Sequence, residues 1–131
     1  ILKMNDKINS VKEFHKVFNL EFLETPKANI GLEKNKLRFN LMKEENEEYL
    51  NAANNNDLIE VADALGDMLY ILCGTIIEHG FQYKIDEIFD EIQNSNMSKL
   101  GNDGKPIYRQ DGKVLKGPNY FKPNIEKILN S

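Results

Sequence analysis

Two helical patterns, separated by an asparagine-rich break, carry acids at positions where each helix should be burying apolar side chains. At roughly 100° per residue, Glu44, Glu45 and Glu48 continue the stripe begun by Leu37 and Leu41 and resumed at Ala52, while Glu47 points away. Beyond Asn54-Asn55-Asn56, a second set, Glu60, Asp63 and Asp67, shares one helical face. Asp67 then leads into Met68–Ile77, which carries no charge. Buried carboxylates must neutralise, pair with cations or bind metal. Between Glu44 and Asp67 there is no Lys or Arg to pair with. The short connection implies antiparallel helices, so the two acidic sets can face each other. Carboxylates three or four residues apart then offer the hard oxygen donors that Mg2+ takes, with Mn2+ as the alternative ion.

The rest of the chain narrows the setting. Its 131 residues suit a single domain, 1–131, with a helical core over about 8–95 and a basic flap over about 96–122. A balance of 21 acidic against 17 basic residues disfavours a nucleic-acid polymer as partner, because a phosphate backbone would demand a basic face. The lone Cys73 sits inside the apolar run, reads as a buried structural thiol and points to a reducing compartment. The opening Ile1-Leu2-Lys3-Met4 has no signal-peptide character, with Met4 as the expected native start, and Met68–Ile77 is too short to span a bilayer. A cytoplasmic protein without membrane contact is expected.

Helical spacing of Ile8, Val11, Phe14, Phe18 and Phe22 predicts a first helix over about 8–23, stopped by Thr25-Pro26. The longest pattern runs over about 32–53. Asp57 is placed to cap the next helix, with Glu60 three residues on, and Gly80 to end it. A fourth helix follows, with Ile85, Ile88, Phe89 and Ile92 as its apolar stripe. The texture then changes to Gly, Pro and turn dipeptides. Asp111-Gly112, between Ile107-Tyr108-Arg109 and Val114-Leu115, predicts a small hairpin, and residues 123–129 a short closing helix. Lys99, Lys105, Arg109, Lys113 and Lys116 make this tail basic. The expected fold is all-α, a bundle of four main helices with a hairpin-containing C-terminal tail.

Other chemistries find less support. A di-iron carboxylate bundle would place histidine three residues after a ligand glutamate, and neither His15 nor His79 stands there. His15 is expected to be partly exposed on the first helix and His79 to sit at a helix end. No histidine motif surrounds Cys73, and no glycine-rich phosphate loop precedes a helix.

Glu44-Glu45-Asn46-Glu47-Glu48, a spacer, and Glu60-Val-Ala-Asp-Ala-Leu-Gly-Asp-Met-Leu-Tyr70 resemble the Glu-Glu-x-x-Glu … Glu-x-x-Asp signature of the all-α nucleoside triphosphate pyrophosphohydrolases. That superfamily includes MazG-like enzymes, dimeric dUTPases, dCTP pyrophosphatases and phosphoribosyl-ATP pyrophosphohydrolase. The likeness covers residues 32 to 95, and the tail from Asn96 to Pro123 is similar to a bacterial and phage MazG-like branch. The resemblance implies a magnesium enzyme that cleaves a nucleotide between its α and β phosphates, with a house-cleaning role. On the matching positions, Glu45, Glu48, Glu60 and Asp63 become metal ligands and Glu44 orients or deprotonates water. Aligning the second motif through Asp67 instead would put the family's glutamate on Ala64, which cannot ligate. Glu60 and Asp63 are therefore preferred, with Asp67 an additional carboxylate for a second ion or for water. In this picture Lys99, Lys105, Arg109 and Lys116 complement phosphate charge, and Asn96 hydrogen-bonds base or sugar. Tyr120 stacks on the base, and Tyr70 is more readily a core residue. The apolar third helix predicts a homodimer or homotetramer. The competing reading is a non-catalytic helical oligomerisation or interaction module with structural cation sites. Release of pyrophosphate from a nucleotide would separate the two.

Overall fold

The computed structural model describes residues 4–131, so the expectations for Ile1, Leu2 and Lys3 lie outside the described residues. These residues form five α-helices and no strand: α1 (Met4–Val17), α2 (Leu32–Asn54), α3 (Leu58–Glu78), α4 (Ile85–Met97) and α5 (Ile125–Leu129). By its internal contacts the chain divides into two compact units, Ile1–Tyr83 and Lys84–Ser131.

In the first unit, α2 and α3 form an antiparallel pair around a tight turn. Asn56 adopts the left-handed conformation there (φ 53°), and the Asp57 amide donates to the Ala52 carbonyl at 2.9 Å. The Asp57 carboxylate then caps α3 by accepting from the Glu60 amide at 3.1 Å. At its other end α3 stops in a glycine-dependent cap. Gly80 has φ 77°, with its amide bonded to the Ile77 carbonyl and that of Phe81 to the Ile76 carbonyl. A Cβ at Gly80 would overlap the Thr25 carbonyl, so both conformation and space require glycine.

Helix α1 is shorter at its C-terminal end than the apolar spacing predicts. Asn19 turns left-handed (φ 57°) and the Leu20 amide closes back on the His15 carbonyl at 2.7 Å, so Phe18 and Phe22 leave the helix. The segment 18–31 instead runs along the end of α3, fixed by Leu23 N–H to the Ile77 carbonyl (3.0 Å) and Lys27 N–H to the His79 carbonyl (2.8 Å). The Gln82 side chain adds a bond to the Leu23 carbonyl at 2.6 Å. Ile8 and Val11 of α1, Ala52 of α2, and Ala64, Cys73 and Ile77 of α3 make the buried apolar core.

In the second unit, two serines of the α4 C-terminal end hold the tail. The buried Ser95 hydroxyl donates to the Phe121 carbonyl at 2.8 Å, and the Phe121 amide donates to the Ser98 hydroxyl at 3.1 Å. The expected hairpin is present in minimal form. One antiparallel bridge pairs Tyr108 with Val114, flanked by Leu115 N–H to the Ile107 carbonyl and Arg109 N–H to the Lys113 carbonyl, both 2.8 Å. Gly112 (φ 88°) makes the turn. Asn124 caps α5 by accepting from the Lys127 amide at 3.1 Å. Among the described residues no helix is long and apolar enough to cross a membrane.

Candidate metal centre

The face of α2 turned to α3 runs through Arg38, Leu41, Glu45 and Ala52, at intervals of three, four and seven residues. This differs slightly from the stripe read from the sequence. Leu37 is 53 % exposed, and Glu44 and Glu48 are also solvent-accessible, so Glu45 is the acid that points most directly inward. Across from it, α3 presents Ala64, Asp67, Met68 and Ile71. Ala64 is buried, and its small side chain leaves room for the acids on either side.

Glu45 records how closely these acids converge. Its Oε2 is buried and has no hydrogen-bond partner. Its carboxyl is pushed up to about 6, first by removal from water, then by the adjoining Glu48 carboxyl and by the charges of Asp67 and Asp63. The structure thus brings Glu45, Glu48, Asp63 and Asp67 together. Glu44 and Glu60 are exposed and do not contribute to the Glu45 environment; Glu60 occupies the first turn of α3, next to the Asp57 cap. On α3 it is therefore Asp67, in company with Asp63, that shares Glu45's surroundings.

Among the described residues, no group of three or more His, Cys, Asp or Glu side chains stands in an arrangement that could hold a metal ion as it is. The donor set nonetheless fits a hard divalent cation. It consists of carboxylate oxygens, one of them buried without a partner, and their mutual repulsion would be relieved by positive charge.

Two turns away along the same helix pair lies a buried polar cluster that the sequence reading missed. Arg38 donates through Nε to the Thr75 hydroxyl (3.0 Å), through Nη1 to Glu78 Oε2 (2.9 Å) and through Nη2 to the Ile71 carbonyl (2.8 Å). Glu78 Oε2 also meets His15 Nε2 at 3.0 Å, while His15 Nδ1 lies 3.1 Å from the Val11 carbonyl. Lys34 Nζ lies 3.8 Å from Glu78 Oε1. Arg38, Glu78 and His15 are all buried. His15 is therefore not the partly exposed residue expected from α1, because α1 turns it onto Glu78. Two signals in the sequence point here. Arg38 stands seven residues before Glu45, on its stripe, and Gly74 interrupts an otherwise bulky helix.

The expected substrate contacts all belong to the second unit. Asn96 and Lys105 are exposed, and Lys99 is half-buried with its carbonyl accepting from the Gly117 amide at 2.8 Å. Arg109 is engaged by Asp111 through a two-pronged ion pair, with Nε to Oδ1 at 2.9 Å and Nη2 to Oδ2. The pairing raises the Arg109 guanidinium and lowers the Asp111 carboxyl from their ordinary values. Lys116 Nζ sits 4.8 Å from the centre of the Tyr120 ring, a cation–π contact. In the first unit Tyr70 is 44 % exposed and meets Phe14 edge-on at 5.8 Å, so it is only partly a core residue.

The family profile for phosphoribosyl-ATP pyrophosphohydrolase matches residues 11–96, which include both acidic sets. Among solved structures, a candidate NTP pyrophosphohydrolase from Exiguobacterium sp. 255-15 is 25 % identical. That match covers 92 % of this chain and 90 % of the other, with a TM-score of 0.49. A search of curated proteins finds no match. The family match spans well over half of the chain and all three helices of the first unit in whole or part. The chain accordingly belongs to the phosphoribosyl-ATP pyrophosphohydrolase family and is a nucleotide pyrophosphohydrolase of the all-α superfamily.

Proposed function

We propose that the chain is a magnesium-dependent hydrolase that cleaves a nucleoside or deoxynucleoside triphosphate between the α and β phosphates, leaving a monophosphate and pyrophosphate. The observation that carries this reading is the buried, partnerless Oε2 of Glu45, among three further carboxylates on the α2–α3 seam. Glu45, Glu48, Asp63 and Asp67 would hold magnesium. Glu60, one turn before Asp63 on α3, is the remaining candidate ligand. When bound, the cation supplies charge neutralisation for the polyphosphate and lowers the cost of ionising water. Glu44, open to solvent on α2, is proposed to take the proton of the attacking water. The new bond forms to the α phosphorus, and the bond to the bridging oxygen breaks with its electrons leaving on pyrophosphate.

Phosphate charge is proposed to be met by Lys99, Lys105, Arg109 and Lys116, and base or sugar by Asn96 and Tyr120. For Arg109, a phosphate would replace Asp111 on the same planar fork. A homodimer or homotetramer is proposed because α3 leaves Leu65, Leu69 and Leu72 between 36 % and 50 % exposed, an apolar surface unusual for a monomer. The test is a nucleotide panel, with and without magnesium, in which released pyrophosphate is converted to phosphate and measured. Magnesium-dependent release from at least one triphosphate, lost in Glu48→Gln, supports the reading. No release from any nucleotide would refute it.

A further inference from the structure

We propose that Arg38 is a positioning residue that sets the axial register of α2 against α3 and so places Glu45 opposite Asp63 and Asp67. The inference rests on the magnesium-site reading above. Arg38 touches none of the four acids and is not catalytic. Its three bonds to α3 go to acceptors of Ile71, Thr75 and Glu78, residues two turns apart whose acceptor atoms converge on one guanidinium, the Ile71 carbonyl and the Thr75 hydroxyl being 2.9 Å from each other. A rigid planar fork that must meet three acceptors in fixed directions reads position along the axis as well as proximity. Sliding α2 by one residue would carry the Arg38 backbone about 1.5 Å along the axis, and the fork could not keep all three bonds aligned.

The surroundings give the fork little freedom. Glu78 is itself held by His15 at 3.0 Å, and the Ile71 carbonyl also accepts from the Thr75 hydroxyl at 2.9 Å. Gly74 lets the guanidinium lie directly on the α3 backbone, since a Cβ there would stand 2.6 Å from Nη2. Glu45 follows Arg38 by seven residues on the same face of α2, and Asp67 precedes Ile71 by four on α3. Register fixed at the cluster is therefore transmitted over two turns of one helix and one turn of the other.

The test uses the full chain with Arg38→Lys, which keeps the charge and loses the fork. It also uses Arg38→Met/Glu78→Leu, which replaces the buried pair by apolar side chains that can preserve stability. Magnesium affinity is measured by calorimetry without nucleotide, alongside kcat, KM and thermal melting. Both variants are expected to bind magnesium about tenfold more weakly. Each should lose roughly ten- to a hundredfold in kcat at saturating magnesium, with KM little changed. The double variant should melt close to the parent. If Arg38→Lys retains parental magnesium affinity and kcat, the positioning role is overturned whether or not the double variant folds, and the site reading stands. If the parent protein binds no magnesium, both are overturned.

Discussion

Substituting alanine for each of two glycines on α3 should shift stability in opposite directions, because only one of them makes room for Arg38. Gly66 and Gly74 are both interior to the helix, so each Gly→Ala change carries the same intrinsic gain of about 0.5–1 kcal/mol from reduced backbone freedom. At Gly66 an added Cβ meets nothing within 4 Å, and that gain should appear undiminished. At Gly74 the Cβ would lie 2.6 Å from Arg38 Nη2 and 3.3 Å from His15 Cε1. The tip of an exposed arginine would swing aside at small cost. This one is buried and bonded to Ile71, Thr75 and Glu78, so moving Nη2 breaks its 2.8 Å bond to the Ile71 carbonyl. A charge-assisted bond of that kind is worth about 1.5–3 kcal/mol. Gly74→Ala should therefore be destabilised by about 0.5–2.5 kcal/mol, and the gap between the two variants should approximate the broken bond itself. For a chain of this length each kcal/mol moves Tm by roughly 3–5 °C. Urea and thermal unfolding followed by circular dichroism would measure both variants against the parent. If Gly74→Ala is as stable as Gly66→Ala, the guanidinium yields freely, and the three-point attachment does not constrain the helices.

Other outcomes follow from the acidic site. Magnesium at ten times its Kd should stabilise the parent by about 1.4 kcal/mol, and Glu48→Gln should lose most of that shift in a thermal melt while keeping its helical signal. Asp67→Asn should weaken magnesium binding in calorimetry at least as much as Glu60→Gln, because Asp67 acts on Glu45 and Glu60 does not; the reverse order would return the ligand role to Glu60. Since the Glu45 carboxyl is raised to about 6 from 4.5, its favourable contribution is complete below about pH 4.5 and is lost as pH rises through 6. Magnesium should restore that loss, so the magnesium-induced rise in Tm should be larger at pH 7.5 than at pH 5; equal shifts would count against an ion next to Glu45. Glu44→Gln should lower kcat by about two orders of magnitude while calorimetry finds magnesium affinity retained, and a loss of affinity would make Glu44 a ligand.

The helices α2 and α3 were legible because local chemistry and periodicity agree there: the asparagine turn, the Asp57 cap and Gly80 all act within a few residues of where they stand. The end of α1 was less so. Phe18 and Phe22 continue an apolar spacing, but Asn19 takes a left-handed conformation that spacing does not encode. The carboxylates were readable as a group, whereas their partition was not. Whether Glu60 or Asp67 faces Glu45 depends on how one helix is phased against the other, a property of packing between segments. The same limit hid the bonding of His15 to Glu78, 63 residues away, and left Arg38 as an unremarked position on a stripe. The interior glycine was the one local sign of a side chain pressed against the backbone.

The helix pair that carries the acids is closed at both ends, by the Asn55–Asp57 turn at one and by Arg38 with Glu78 at the other. Helices usually fray from their termini, and amides near an open end exchange with solvent through small local openings. Here neither end of the pair is open, so Glu45 and Asp67 lie in a stretch that cannot be reached by unzipping from either side. Their amides should exchange only through larger, cooperative openings of the first unit. The four acids, which repel one another, thus sit in a stretch bonded at both ends, where relief of their repulsion by local unfolding should be costly.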